Sequence, residues 1–199
     1  NTAAGGFPDH ERPIHWRDER VLTGNNAMQM GIWYEILMRW VGPASSVQAV
    51  AQTIVKYRRD THGRRIAISI PDHLEIICGM VAGGTANLTV SSVSGLVPEI
   101  DIWLVGSEGT LHVQSGKESK SMDREIRILG GRRGNETLTE IAVPDDKRGG
   151  WRVEEEFINA IRGTEIVTHT GFADGVKYME FTDAVTRAWQ SGEKVNLPL

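Results

Sequence analysis

Residues 25–42 read Asn-Asn-Ala-Met-Gln-Met-Gly-Ile-Trp-Tyr-Glu-Ile-Leu-Met-Arg-Trp-Val-Gly, and their large apolar side chains Trp33, Ile36, Leu37 and Trp40 recur at helical spacing. That spacing puts two indoles on one face of a helix. Asn25 and Asn26 are favoured N-cap residues, Arg39 suits the negative end of the helix dipole, and Gly42-Pro43 is a stop. So wide an apolar stripe needs something flat to lie against. A long series of strands comes next in the chain, so the sequence predicts a helix laid across a sheet. On that reading, truncating Trp33 or Trp40 to Ala costs about 3–5 kcal/mol.

The strands read as antiparallel hairpins. Residues 46–57 are rich in Val, Ala, Ile and Thr, Thr61-His62-Gly63 marks a turn, and 66–70 is a short apolar piece ended by Pro71. Residues 73–82 and 85–94 flank Gly83-Gly84, a two-residue hairpin signal. In 99–105, Ile100, Ile102 and Leu104 face one way, and Glu99, Asp101, Trp103 and Val105 the other. Gly106-Ser-Glu-Gly109 turns the chain into 110–113. Residues 114–123 read as a polar loop, and 125–129 and 136–143 as a hairpin joined through residues 130–135.

Two helices close the chain. Residues 151–162 carry Val153, Phe157, Ala160 and Ile161 on one face, with Glu154, Glu155 and Glu156 at the positive end of the dipole. Residues 174–190 carry Val176, Met179, Ala184, Val185 and Ala188. The tail 195–199 is apolar enough to dock back. Hairpins in series, with the helices set apart, predict an α+β fold: a large, mostly antiparallel sheet with helices on one face. The other face is left open, which predicts a homo-oligomer.

The 199 residues, 40% hydrophobic and 24% charged, suit a single core. A net charge of −4 without a basic block argues against a nucleic-acid partner. Arg58, Arg59, Arg64 and Arg65 are interrupted by Asp60 and read as a solvated hairpin end. No stretch approaches the roughly 18 apolar residues of a membrane span. Cys78, the single cysteine, fits a reducing cytoplasmic setting and reads as a small core residue.

Residues 1–24 are irregular, and crowded with His10, Glu11, Arg12, His15, Trp16, Arg17, Asp18, Glu19 and Arg20. They read either as a solvated lead-in or as a segment crossing the mouth of a cleft, with His15, Trp16 and Arg17 pointing inward. His10 and His15 find no third ligand at a convincing spacing, so no metal site is expected. No G-x-G-x-x-G opens a helix after a strand. P-loop, His-Glu-x-x-His, Cys-x-x-Cys and G-x-S-x-G motifs are absent too.

Several runs in order carry a resemblance. They are Gly31-Ile32 with Leu37-x-Arg39-Trp40-x-Gly42, then Asp72 opening a strand that ends in Gly83-Gly84, then Ile102-x-x-x-Gly106-Ser-Glu-Gly109-Thr-Leu111. Glu156-Phe-Ile-Asn-Ala-Ile-Arg-Gly163 comes next, and last Asp174-Gly175-x-x-Tyr178-Met-Glu180 with Ser191-Gly192-Glu-Lys-Val195. From about residue 20 onward the chain resembles the C-terminal domain of the glucose–fructose oxidoreductase / inositol dehydrogenase (Gfo/Idh/MocA) family. The resemblance implies an N-terminal Rossmann domain, missing from this sequence, that binds NAD or NADP. Residues 1–24 would lead in from it, and 25–199 would form a substrate-binding and oligomerisation domain without cofactor-binding residues. The implied chemistry is hydride transfer at a sugar, inositol or related small polyhydroxy substrate.

The family's Gly-Ile-His-x-x-Asp pattern is broken here. Trp33 holds the His position and Ile36 the Asp position, which removes the usual acid/base pair. The remaining catalytic candidates are His15, Asp18 and Glu35. The expected substrate contacts are His15, Trp16, Arg17, Asn25, Asn26, Trp33 and Tyr34. The alternative is a non-catalytic binding or scaffold module of the same fold.

Overall fold

The computed structural model describes residues 2–3, 6–115 and 126–199; most of the polar loop expected at 114–123, and Glu125, lie outside them. In chain order the elements are β1 (Thr2–Ala3), α1 (Arg20–Thr23), α2 (Met30–Val41), β2 (Ala44–Gln52), β3 (Tyr57–Arg59), β4 (Arg65–Ala67), β5 (His73–Met80) and β6 (Thr85–Ser91). They continue as β7 (Asp101–Val105), β8 (Gly109–Ser115), β9 (Ile126–Arg132), β10 (Thr139–Glu140), α3 (Val153–Arg162), α4 (Phe172–Ser191) and β11 (Val195–Asn196). The α+β class holds. So does the mostly antiparallel strand pairing, which among the described residues is divided into a five-stranded sheet ordered β1-β6-β5-β2-β11, a four-stranded sheet ordered β10-β9-β8-β7, and the hairpin β3-β4. Among the described residues every pairing is antiparallel except that of β1 with β6.

The core lies between the five-stranded sheet and helices α2 and α4. Period-two alternation turns Leu74, Ile76, Cys78 and Met80 of β5 inward and leaves Glu75 and Ile77 outside. Helix α4 lays Phe181, Ala184, Val185 and Ala188 against this surface. Cys78 is fully buried, and loss of solvation pushes its thiol up to about 12, so it packs as a small apolar residue. The tail docks as expected, Val195 pairing with Val47. The Gly83-Gly84 turn takes left-handed backbone at both glycines, φ 91° and 81°, as a tight β5-β6 hairpin requires.

Helix α2 corrects two expectations. It begins at Met30 rather than Asn25, because Met28 and Gln29 are left-handed (φ 50° and 58°) and end a preceding 3-10 turn. Asn26 reaches past that turn to accept a hydrogen bond from the Gly31 N–H at 2.9 Å. The core face is also rotated by about one residue from the expected stripe. Met30 and Tyr34 are buried, Trp33 and Leu37 are half-buried, and Trp40 is 47% exposed. The full truncation cost expected for Trp40 therefore does not apply in this chain.

Three further expectations are revised. Strand β9 runs through Gly130 and Gly131, and the expected 136–143 strand is reduced to β10. The apolar face of α3 points outward, with Phe157 62% exposed. Glu156, read as dipole support, is buried: it accepts from the Thr168 hydroxyl at 2.5 Å and pairs with His169 Nδ1 at 2.5 Å. These partners, the Thr168 hydroxyl foremost, hold its carboxyl down at about 2. Among the described residues no helix is long and apolar enough to cross a membrane.

Two outcomes test this packing. Tyr34→Ala should cost about 3–5 kcal/mol in urea unfolding, the range for deeply buried aromatics. Glu156 titrates lower in the folded than in the unfolded chain, so its contribution is complete above the ordinary value of 4.5 and fades as the pH falls toward about 2. Glu156→Gln should flatten that acid limb when urea midpoints are compared across it.

Candidate functional site

A cavity of about 230 Å³ opens where the lead-in crosses the end of the five-stranded sheet. The lead-in is held there by Arg58. This residue sits mid-strand in β3, and alternation turns it away from Tyr57 and Arg59 into the protein, where it is 8% exposed. It corrects the expectation of a solvated arginine. Its Nη1 donates to the carbonyls of Asp9 (2.9 Å) and Arg12 (3.2 Å), and its Nε lies 3.5 Å from Asp18 Oδ2. Asp18 also accepts from Arg12 Nη2 at 2.9 Å and from the His15 N–H at 2.8 Å. Asp9 accepts from the N–H groups of Glu11 and Arg12, which hold its carboxyl below the usual range.

His15 caps the short turn Trp16–Asp18, its Nδ1 accepting from the Arg17 N–H at 3.3 Å. The neutral ring therefore carries its proton on Nε2. Arg17 lies over the Trp16 indole at 4.0 Å. With the Gln29 amide oxygen turned toward it, Oε1 accepts from Arg17 Nη2 at 2.7 Å and from Nε at 3.1 Å. Gln29 reaches this position through the left-handed pair it forms with Met28. Two successive non-glycine residues in that region are a strain of about 1–3 kcal/mol each, and such strain concentrates at functional sites.

The rest of the wall comes from Trp33, Val55, Ile70, Val90, Ser91 and Ser92. Asp72 is there as well, but both of its oxygens are engaged, accepting from the N–H groups of Ile54 (2.7 Å) and Val55 (2.8 Å). Arg17, His15 and the Trp33 indole thus border a small space, while the Ser91 hydroxyl accepts from the Val93 N–H at 3.2 Å and the Ser92 hydroxyl donates to the Asp72 carbonyl at 3.4 Å.

Of the expected site residues, His15, Arg17, Asp18 and Trp33 line this cavity. Trp16 lies under Arg17. Asn25 bridges Arg20 Nη1 (3.1 Å) and Asp183 Oδ1 (2.9 Å), and Asn26 caps α2. Tyr34 is a correction: it is 2% exposed, stacked on Phe181, and its hydroxyl accepts from the Ala44 N–H at 3.0 Å, so it belongs to the core. Glu35 is bound to Arg39 and Thr170, each at 2.7 Å, away from the cavity. Gln29, Met28 and Arg58 were not expected. Strand alternation marks Arg58, whereas no glycine announces the left-handed pair. Among the described residues no three His, Cys, Asp or Glu side chains converge as a metal site.

No protein-family model and no curated protein matches the chain. Solved structures do. Levoglucosan dehydrogenase in complex with NADH and L-sorbose superposes with a TM-score of 0.77 at 16% identity, covering 99% of this chain and 57% of that one. An NAD-binding oxidoreductase from Klebsiella pneumoniae gives 0.76 at 16% identity, covering 100% and 58%. The WlbA dehydrogenase from Bordetella pertussis, in complex with NADH and UDP-GlcNAcA, gives 0.60 at 20% identity, covering 87% and 45%. The chain has the Gfo/Idh/MocA-type fold. It spans little more than half the length of the first two of these structures.

The geometry makes Arg58 the anchor of the cavity's outer wall. Arg58→Met should cost about 1.5–3 kcal/mol, as for hydrogen bonds to a charged group. It should also expose the lead-in, read as faster tryptic cleavage at Arg17 and Arg20.

Proposed function

We propose that this chain is the substrate-binding and oligomerisation domain of an NAD(P)-dependent oxidoreductase acting on a sugar, inositol or related polyhydroxy compound. The nicotinamide cofactor would lie on an N-terminal Rossmann domain of the parent protein. One observation supports the reading: a fold shared over 99% and 87% of this chain with two dehydrogenases in complex with NADH and L-sorbose or UDP-GlcNAcA, bearing a small polar-aromatic cavity. Arg17 offers hydrogen bonds to hydroxyls, and Trp33 offers an apolar face to C–H groups.

Hydride transfer to or from a hydroxyl-bearing carbon must be matched by proton movement at its oxygen. His15 with Nε2 protonated suits donation to a carbonyl oxygen in the reducing direction. Its Nδ1 is taken by the Arg17 N–H. Asp18 and Asp72 are committed to backbone N–H groups, and Asp18 to Arg12 as well. These commitments, with Trp33 and Ile36 in place of the family's acid/base pair, favour a second reading as a binding or scaffold module without turnover. Self-association is proposed through the face of the five-stranded sheet that carries Val50 and Ile77, both exposed.

The parent protein, given NAD or NADP and a panel of sugars, inositols and sugar acids, should produce reduced nicotinamide. Arg17→Ala should raise KM about tenfold or more with a smaller change in kcat, the signature of lost uniform binding. No cofactor binding in calorimetry would overturn the oxidoreductase reading. A sugar that raises the Tm of the 199-residue chain without cofactor-dependent turnover in the parent would establish the second reading.

A further inference from the structure

The polar side chains around the cavity beside the lead-in differ in what they have left to offer. Both aspartates are committed. Asp18 Oδ1 accepts from Arg12 Nη2 at 2.9 Å and Oδ2 from the His15 N–H at 2.8 Å, while Asp72 accepts from the N–H groups of Ile54 and Val55. The hydroxyls are occupied too. Ser91 Oγ accepts from the Val93 N–H and from the Ser94 hydroxyl at 2.8 Å, and Ser92 donates to the Asp72 carbonyl. The groups that remain are donors. His15 presents Nε2–H, because its Nδ1 is held by the Arg17 N–H. Gln29 spends its amide oxygen on the Nε and Nη2 edge of Arg17 and keeps its N–H₂ group. The other end of that guanidinium, Nη1 with the second Nη2 hydrogen, meets no acceptor among the described residues.

Charge follows the same pattern. Arg12, Arg17 and Arg58 line the cavity against two aspartates, so one positive charge is left over in a chain of net charge −4. Arg12 and Arg58 are tied to Asp18 and to backbone carbonyls, so the surplus sits on Arg17. A neutral polyol brings a hydrogen to donate with every hydroxyl, and the lining side chains have committed their acceptors. A carboxylate brings acceptors only, balances the surplus charge, and matches with its two oxygens the two parallel N–H groups at the open end of a guanidinium. We infer that the cavity takes polyhydroxy compounds bearing a carboxylate, sugar acids rather than neutral sugars, and that Arg17 selects them. The inference rests on the reading of this cavity as a substrate site, and narrows the class of substrate. A phosphate ester is the poorer match, because a dianion exceeds a single surplus charge. Arg17 is set before a ligand arrives, its plane over Trp16 at 4.0 Å and its edge on Gln29, which makes Gln29 a positioning residue. Trp33, which also lines a larger cleft between β6 and β7, supplies the apolar side.

The test uses the intact gene product, with and without NAD or NADP, and two matched pairs: D-glucuronate with D-glucose, and D-gluconate with D-glucitol. D-Glucose 6-phosphate is the third anion. Calorimetry should give each acid a Kd about tenfold or more below that of its neutral partner, the scale of a hydrogen bond to a charged group. Arg17→Gln should abolish the preference at an unchanged Tm. Arg17→Lys should recover only part of it, since an ammonium keeps the charge and loses the fork. Gln29→Ala should weaken binding of the acids and leave that of the neutral compounds as it was. Equal affinity within a pair, no binding of either acid, or an acid preference that survives Arg17→Gln overturns the proposal. So does tighter binding of glucose 6-phosphate than of glucuronate. The broader reading fails separately. Acids bound through Arg17 without cofactor-dependent turnover uphold this proposal and remove the oxidoreductase, whereas turnover of the neutral compounds alone does the reverse.

Discussion

The parallel stack of Tyr34 on Phe181, ring centroids 3.7 Å apart, fixes how the two core helices meet and, through them, how the candidate site is built. It joins α2 to α4 inside the core, and the Tyr34 hydroxyl adds β2 through the Ala44 N–H. A polar tip that finds its partner lets a tyrosine be buried at little cost. The same contact brings the helices close at Gly31, where a Cβ would sit 3.0 Å from Tyr178 Cδ2 and 3.2 Å from Asn26 Oδ1. With Met30, Gly31 and Tyr34 turned inward, the rotation of α2 is set. Trp33 and Trp40 then have to face the sheet edges instead of the core. The entry to the helix has to be wound left-handed at Met28 and Gln29, and that winding delivers the Gln29 amide to Arg17.

Charge in the lead-in is used for position. Asp9 accepts from the Glu11 and Arg12 N–H groups, Asp18 from the His15 N–H and Arg12, and Arg58 donates to the Asp9 and Arg12 carbonyls, so three ionised side chains hold residues 9–15, which form no regular element. Such bonds are among the stronger ones available to an irregular segment. Their consequence for chemistry is that the carboxylates at the cavity are not spare. Arg17 and His15 remain directed to the space, each held by a second contact: Arg17 by Trp16 and Gln29, and His15 by the Arg17 N–H. A binding group oriented before its ligand arrives loses less entropy on binding.

The features legible in the sequence are those set by local interactions. Alternation marked β5 and β6, the paired glycines marked their turn, and apolar spacing marked α3 and α4. Each of these signals depends on neighbours a few residues away. The division into two sheets was not legible, because alternation tells a strand which side is buried and not which strand lies beside it. Tyr34 was misplaced for a related reason: its burial depends on Phe181 and the Ala44 N–H, which are distant or outside the helical pattern. Arg58 could have been found by strand alternation between Tyr57 and Arg59. Its charge argued for solvent, and the carbonyls that satisfy it come from a segment with no periodicity at all.

Apolar pattern specifies faces before it specifies partners, and α2 shows how the two come apart. The stripe of Trp33, Ile36, Leu37 and Trp40 is written as a surface to be covered, yet the rotation imposed by Tyr34 gives it to the cleft between β6 and β7. Trp33 lines both that cleft and the smaller cavity bounded by Arg17 and His15. One side of the indole therefore borders the cleft while the other helps to wall the cavity. Packing on the cleft side of Trp33 and the shape of the candidate site are thus linked, since a half-buried indole takes its orientation from both of its surroundings.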